Sequence, residues 1–405
     1  MQLKNTTAAL LCTSSLLVSA SALSASISND VIRIGIITDM TSVYSEADGK
    51  GGVEAVRMAI EDAGEEINGK KIELFYADHQ MKSDVASAQA REWFDRENLD
   101  MLIGGANSAA ALAMAAVAAD KQKPYIVIGA GLSGLTNEHC TPYTVHYAYD
   151  TVALSRGTGS AVVEDGGKSW YFLTVDYSFG HALERETSDV VKKNGGEVLG
   201  SVRVPLGAAD YSSFLLRAQG SGAQILGLAN VSGDMIKTIK GANEFGVTQT
   251  MKLAGLLVFI NDINAVGLED TQGMYLTTPW YWDLSDETRA WSEHFEARVG
   301  RKPNMVQAAD YSATRFYLDA VKATGTDDGD TIMKWMKSHK INDMFVTDGY
   351  VRKDGRMINS VYLAQVKSPK ESNGDWDYYN ILKTIPGEQV YTAQEESTCH
   401  LWDEQ

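Results

Sequence analysis

The side chains that could do chemistry in this chain do not assemble into a catalytic set. Seven histidines are scattered as His79, His139, His146, His181, His294, His339 and His400, none with a serine or cysteine in a nucleophile context. No Gly-x-Ser-x-Gly elbow occurs, so the turn that exposes an activated serine is missing from the sequence. Carboxylate pairs are plentiful, but they fall mostly on expected helix faces, where water solvates them. Cysteine and histidine spacings that hold a metal are absent too. The chain therefore reads as a non-enzyme, with no catalytic residue, no metal and no cofactor.

What remains is chemistry that binds. The run Gly129-Ala-Gly-Leu-Ser-Gly134 follows an apolar strand and has the spacing of a dinucleotide fingerprint. A nucleotide would need a helix to begin there, because the helix N-terminus holds the pyrophosphate. Pro142 and the polar residues before it argue against that helix, and this is the fourth strand, not the first. The glycines instead allow backbone N–H groups to approach an anionic ligand closely, which makes Ala130, Gly131 and Ser133 candidates. Asn107-Ser108 opens an alanine-rich helix. It is a natural N-cap, and the same terminus offers free N–H groups to a carboxylate. Tyr44, Tyr177 and Phe179 sit in loops after strands, and Pro279-Trp-Tyr-Trp282 just past another. Aromatic loops facing one cleft would suit a planar ligand, each good ring pair contributing ~0.5–1.5 kcal/mol; Trp280 and its neighbours serve either as such a wall or as lobe packing.

These residues need a scaffold of strand tips. Apolar runs at 31–38, 71–77, 99–105 and 124–128 alternate with helical patterns, and a second set begins with strands at 169–175, 197–204, 224–229 and 252–259. Strands alternating with helices imply parallel sheets, whose ligands sit at the carboxyl ends. Asn230 and Phe259 end two strands of the second set and join the candidates. The fold class expected is α/β, two doubly wound lobes joined by a multi-strand hinge, with crossings near 143–151, 267–277 and 345–349.

Residues 1–26 have the charged start (Lys4), apolar stretch and Ala20-Ser-Ala22 site of a secretory signal peptide, so the mature protein is expected to be exported. Cys140 and Cys399 then remain, and in an oxidising compartment an isolated pair is most simply a disulfide. It would pin the polar tail, residues 386–405. The formal charge of −17 argues against nucleic acid or an anionic membrane surface as partner.

The whole mature chain resembles the type I periplasmic solute-binding proteins of ABC transporters, in the branch of branched-chain amino acid, amide and urea binders. The resemblance rests on Ile34-Gly-Ile-Ile-Thr-Asp39, residues 51–62 (GGVEAVRMAIED), residues 78–86 (DHQMKSDVA), Ile103-Gly-Gly-Ala-Asn-Ser108, Asp176-Tyr-Ser-Phe-Gly180, Tyr211-Ser-Ser-Phe214 and Ala309-Asp-Tyr-Ser-Ala313, in that order. It implies two lobes, 27–147 plus 275–345 and 148–274 plus 346–385, closing over a small molecule. The tail would be tied to the first lobe. The implied partners are that ligand and the permease subunits of the inner membrane, the implied location is the periplasm, and the protein is expected to be a monomer. The resemblance implies contacts from Tyr44, Ser108, Ala130, Gly131, Ser133, Tyr177 or Phe179, and Asn230. Amino-acid binders of this kind place a carboxylate after the strand matching 252–256, to pair with the ligand's ammonium. Here that stretch reads Leu256-Leu-Val-Phe-Ile260, without an acid, and Asp262 lies a few residues on. A small organic carboxylate, aromatic in one version, is therefore the expected ligand. An amino acid, amide or urea, or a sensor that signals to a receptor, are the alternatives.

Overall fold

The computed structural model describes residues 26–403, so the expected signal peptide lies almost wholly outside the described residues. Strand β1 (Val31–Thr38) is the spine of the first sheet. Ile32, Ile34, Ile36 and Ile37 are all fully buried, as a parallel strand covered on both faces requires. With β2 (Glu66–Ile67), β3 (Lys70–Asp78), β4 (Met101–Gly104), β5 (Tyr125–Val127) and β6 (Thr144–His146) it forms the order β2-β3-β1-β4-β5-β6. All pairings are parallel except the β2–β3 hairpin. The order reverses at β1, which pairs with β3 on one side and β4 on the other, so a crevice opens beyond its carboxyl end.

The second sheet is built from β7 (Ser169–Val175), β8 (Glu197–Val204), β9 (Ile225–Ala229) and β10 (Lys252–Gly255), all parallel in the order β10-β9-β7-β8. Helices α1 (Gly49–Asp62), α2 (Ser83–Arg96) and α3 (Ser108–Lys121) flank the first sheet. Then α4 (Thr151–Leu154), a π-helical turn (Ser155–Gly159), α5 (Ser160–Glu164), α6 (Ser178–Lys193), α7 (Ser212–Gly220), α8 (Ser232–Glu244) and α9 (Ile260–Val266) belong with the second. The two-lobe α/β architecture expected from the alternating pattern is present.

The remaining strands are β11 (Tyr275–Thr278), β12 (Lys340–Ile341), β13 (Gly349–Val351), β14 (Met357–Ile358), β15 (Val361–Val366) and β16 (Tyr379–Ile385). Strand β11 pairs with β15 and β15 with β16, while β12, β13 and β14 form their own small sheet. Residues 275–278 thus share a sheet with 361–366, and the 349–358 hairpin, turning at Gly355 (φ +86°), bridges from Arg356 to His146 of the first sheet. The β11–β15 pairing thus joins a strand from each of the expected allotments, 275–345 and 346–385. Arg356 is fully buried at this crossing and donates to the carbonyls of Tyr147, Tyr149 and Met357.

The Cys140–Cys399 disulfide is formed. It packs with Leu401 and Trp402, and so gives the polar tail an anchor on the loop before β6.

Candidate functional site

The carboxyl ends of the two sheets enclose a narrow cavity with a volume of about 10 Å³. One wall comes from the loops after β1, β4 and β5: Tyr44, Ala47, Asp48, Ala106, Ser108, Gly129, Ala130 and Gly131. Tyr177, Phe179, Val231, Leu257 and Phe259 face them from the second lobe.

The first loop is shaped by Asp39, whose carboxylate accepts from the Ser42 N–H and hydroxyl and from the Tyr44 N–H. That turn brings Tyr44, 2% exposed, over the cavity. In the β4 loop, Asn107 caps α3, accepting from the N–H groups of Ala109 (2.9 Å) and Ala110 (3.0 Å). Asn107 is therefore a structural cap and does not reach the cavity wall. The next residue does: Ser108 is buried, and its Oγ has no partner among the described residues.

The β5 loop carries the most informative geometry. The carbonyl of Gly129 accepts from the Tyr149 hydroxyl (2.8 Å), that of Ala130 from His146 Nε2 (2.7 Å), and that of Gly131 from the Thr151 N–H (2.7 Å). Three successive acceptors are thus taken by the protein. The N–H groups of Ala130 and Gly131 make no hydrogen bond among the described residues. Burial and the nearby Arg356 hold His146 well below its ordinary pKa, so it stays a neutral donor. Gly131 is needed for closeness: a Cβ there would lie 3.1 Å from the rings of both Phe179 and Tyr149.

Across the cleft, Tyr177 precedes α6, and its hydroxyl donates to that of Tyr44 at 3.3 Å, joining the lobes. A second link runs from Asn304, which caps the helix Met305–Thr324, to Asn261 on α9 at 2.8 Å, with the same amide reaching the Ala47 carbonyl. Tyr177 and Phe179 lie 6.0 Å apart, tilted by 34°.

Three other candidates do not line the cavity. Ser133 donates to Glu186 on α6. Asn230 donates to Thr238 within its own lobe. Trp280 donates to the Met344 carbonyl and meets Trp291 edge-on, in a neighbouring cavity that shares only Phe259 with the first. Of the two uses open to the Trp280 group, the geometry favours packing.

One group overlooked in the sequence is Asp48. It lies just before α1, inside a polar loop, where an acid reads as a cap. Its carboxyl instead accepts from Thr38 Oγ1 (2.6 Å) and meets Asp310 over Gly52, whose missing side chain leaves room for both. Burial pushes Asp48 up to about 6, and burial beside Asp48 pushes Asp310 well above the usual carboxylate range. Two buried carboxyls side by side favour keeping a proton between them, and Asp48 Oδ1 and both Asp310 oxygens have no hydrogen-bond partner among the described residues. The expectation of a crevice wall without any acid is thus corrected, although one oxygen of this acid is held by Thr38. Asp262, the other acid considered, accepts from the Phe259 N–H (2.9 Å) and is absent from the wall. Among the described residues no group of side chains is arranged to hold a metal, and no helix is long and apolar enough to cross a membrane.

Residues 31–375 match the family described as periplasmic binding protein. A solved periplasmic binding protein from Burkholderia mallei is 58% identical, covering 92% of this chain and 99% of its own, with a TM-score of 0.91. A branched-chain amino acid ABC transporter ligand-binding protein from Burkholderia xenovorans is 36% identical over 91% of this chain and 99% of its own, with a TM-score of 0.81. The solute-binding protein of a Rhodopseudomonas palustris ABC transporter, solved with 3,4-dihydroxybenzoic acid, shares the fold at 23% identity, covering 89% and 98%, with a TM-score of 0.81.

Proposed function

The chain belongs to the periplasmic binding protein family of ABC transporters, and from that premise we propose that it captures a small organic carboxylate with a flat, apolar body. It would do so in the periplasm and deliver the ligand to a membrane permease. The carrying observation is the β5 loop: its carbonyls are all engaged, while the Ala130 and Gly131 N–H groups and the Ser108 hydroxyl remain free. Free donors with no competing acceptors suit a carboxylate, each charge-assisted bond contributing ~1.5–3 kcal/mol. Tyr44, Tyr177, Phe179 and Phe259 would sandwich the body, as a planar ligand requires. The aromatic acid held by the Rhodopseudomonas protein is consistent with this choice.

A second reading, an α-amino acid, is favoured by Asp48 on the wall and by the description of the Burkholderia xenovorans relative. Against it, one Asp48 oxygen already accepts from Thr38 and the carboxyl lies beside that of Asp310, and an ammonium needs an unshared counter-charge when buried.

A thermal-shift panel of benzoate, 4-hydroxybenzoate, benzamide, hexanoate and leucine separates them. A ligand at 100 times its dissociation constant adds about 2.7 kcal/mol. Stabilisation by benzoates but not benzamide is expected; stabilisation by leucine alone would replace the first reading with the second.

A further inference from the structure

Ser133 belongs to the loop that carries Ala130 and Gly131, yet its hydroxyl points away from the cavity and donates to Glu186 Oε1 at 2.7 Å. Glu186 is on α6, which packs on β7, β8 and β9 of the opposite lobe. The contact therefore crosses between lobes at the edge of the ligand site. Its surroundings are tightly connected. The Ser133 N–H donates to Thr151 Oγ1 (3.2 Å), and the Thr151 N–H holds the Gly131 carbonyl (2.7 Å). The backbone that lines the cavity is thus tied to Thr151, and the carboxyl of Glu186 holds Ser133 of the same loop from the other lobe. We infer that Glu186 is a positioning residue that couples lobe closure, and with it ligand affinity, to the uptake of one proton.

The charge environment supports the coupling. The Glu186 side chain is 15% exposed, and its Oε2 is buried without a partner. The groups around it are few. Arg185 on the same helix approaches to 3.1 Å but is 62% exposed, so water weakens its pull. Asp150, the buried cap of α4, opposes ionisation, and Arg356, Arg352 and Arg156 act on Asp150 in turn. From the Ser133 loop the titratable neighbour is Glu138, beside Gly134. The helix α3, which also touches α6, carries no charged residue before Asp120. Burial dominates and pushes Glu186 up to about 7, with the Ser133 and Thr151 hydroxyls opposing.

When the lobes part, Glu186 returns to water and to an ordinary value of about 4.3. The closed form then binds more protons than the open form between those values, so closure strengthens as pH falls through 7. A protonated carboxyl still accepts from Ser133 through its carbonyl oxygen, so the clasp survives the charge change.

The coupling rests on the reading that the cleft closes on a ligand. The test titrates full-length mature protein with benzoate and with leucine at pH 5.5 and 8, for wild type, Glu186→Gln and Glu186→Ala. Wild type should bind on the order of tenfold tighter at pH 5.5. Glu186→Gln should bind equally at both, at the wild-type low-pH level, because an amide keeps the acceptor and cannot titrate. Glu186→Ala should be weaker at both. A Glu186→Gln profile as steep as wild type, or a flat wild type, overturns the inference and assigns any remaining pH effect to the Asp48–Asp310 pair or Asp262. If neither probe binds, the proposed ligand classes fail separately, and the clasp is read from small-angle scattering of ligand-free protein. Lowering the pH must then compact wild type but not Glu186→Gln; identical curves overturn it.

Discussion

The two walls of the cavity are made of different material. Apart from Tyr44 and Asp48, the first lobe contributes backbone and small side chains, namely Ala47, Ala106, Ser108, Gly129, Ala130 and Gly131, whereas the second contributes only large apolar ones, Tyr177, Phe179, Val231, Leu257 and Phe259. The first wall follows from glycines and a helix cap, which bring backbone to the surface, with the carbonyls of Gly129, Ala130 and Gly131 held by the protein. The second follows from loops that simply present bulk. On the proposed function, the first lobe would read the charged end of a ligand and the second its shape.

The sharpest attack on this division is at the closest approach. Gly131→Val would drive a branched side chain into Phe179 and Tyr149. We expect a loss of more than about 100-fold in affinity with unchanged circular dichroism, since blocked closure removes both walls' contributions at once. An unaltered affinity by calorimetry would mean the lobes do not meet there.

Ser108→Ala comes next. It should weaken a carboxylate about 10- to 100-fold, the equivalent of one charge-assisted bond, while leaving uncharged analogues such as an amide unaffected. Equal losses for both would make the first wall a matter of shape as well. Phe179→Leu should act the other way, costing a bulky flat ligand about 3- to 10-fold through lost ring contact and a short aliphatic acid almost nothing.

Two predictions concern stability. Replacing Cys140 and Cys399 by serine should lower unfolding free energy by about 2–5 kcal/mol without changing affinity, because the bridge lies away from both walls. The smallest effect is with pH. Burial holds Asp48 at about 6 and Asp262 and Glu186 at about 7, so the folded chain binds more protons than the unfolded one, and stability should rise as pH falls from 8 to 6.5. Below that, His79, lowered to about 4 by burial, and His146 oppose the gain, because the unfolded chain protonates them. Melting temperatures at pH 8, 6.5 and 5 should therefore rise and then level; a monotonic fall from 8 to 6.5 would contradict the burial of these acids.

The sequence carried the strand tips well. Tyr44, Ser108, Ala130, Gly131, Tyr177, Phe179 and Phe259 all reach one cavity, because β-strands of buried isoleucine, valine and leucine can only end in loops on one side of a parallel sheet. Side-chain direction was not legible. Asn107, Ser133, Asn230 and Trp280 sit in the right loops but turn to a helix end, to Glu186, to Thr238 and to Met344. Those partners lie up to 64 residues away in the chain, beyond any local pattern. Asp48 was hidden for the same reason, since its burial depends on Asp310 and on the absent side chain of Gly52.

The tail has a mechanical consequence. Cys399 is fastened to the loop before β6, while Arg156, in the π-helical turn that packs against α6 and β11, grips the Tyr391 carbonyl (2.8 Å) and Glu396 (2.7 Å). The few residues between these fixings join the two, so any swing of one lobe on the other should be limited by their length. Rotation beyond their reach must first tear Arg156 free, so the oxidised protein should swing through a narrower arc than the reduced one.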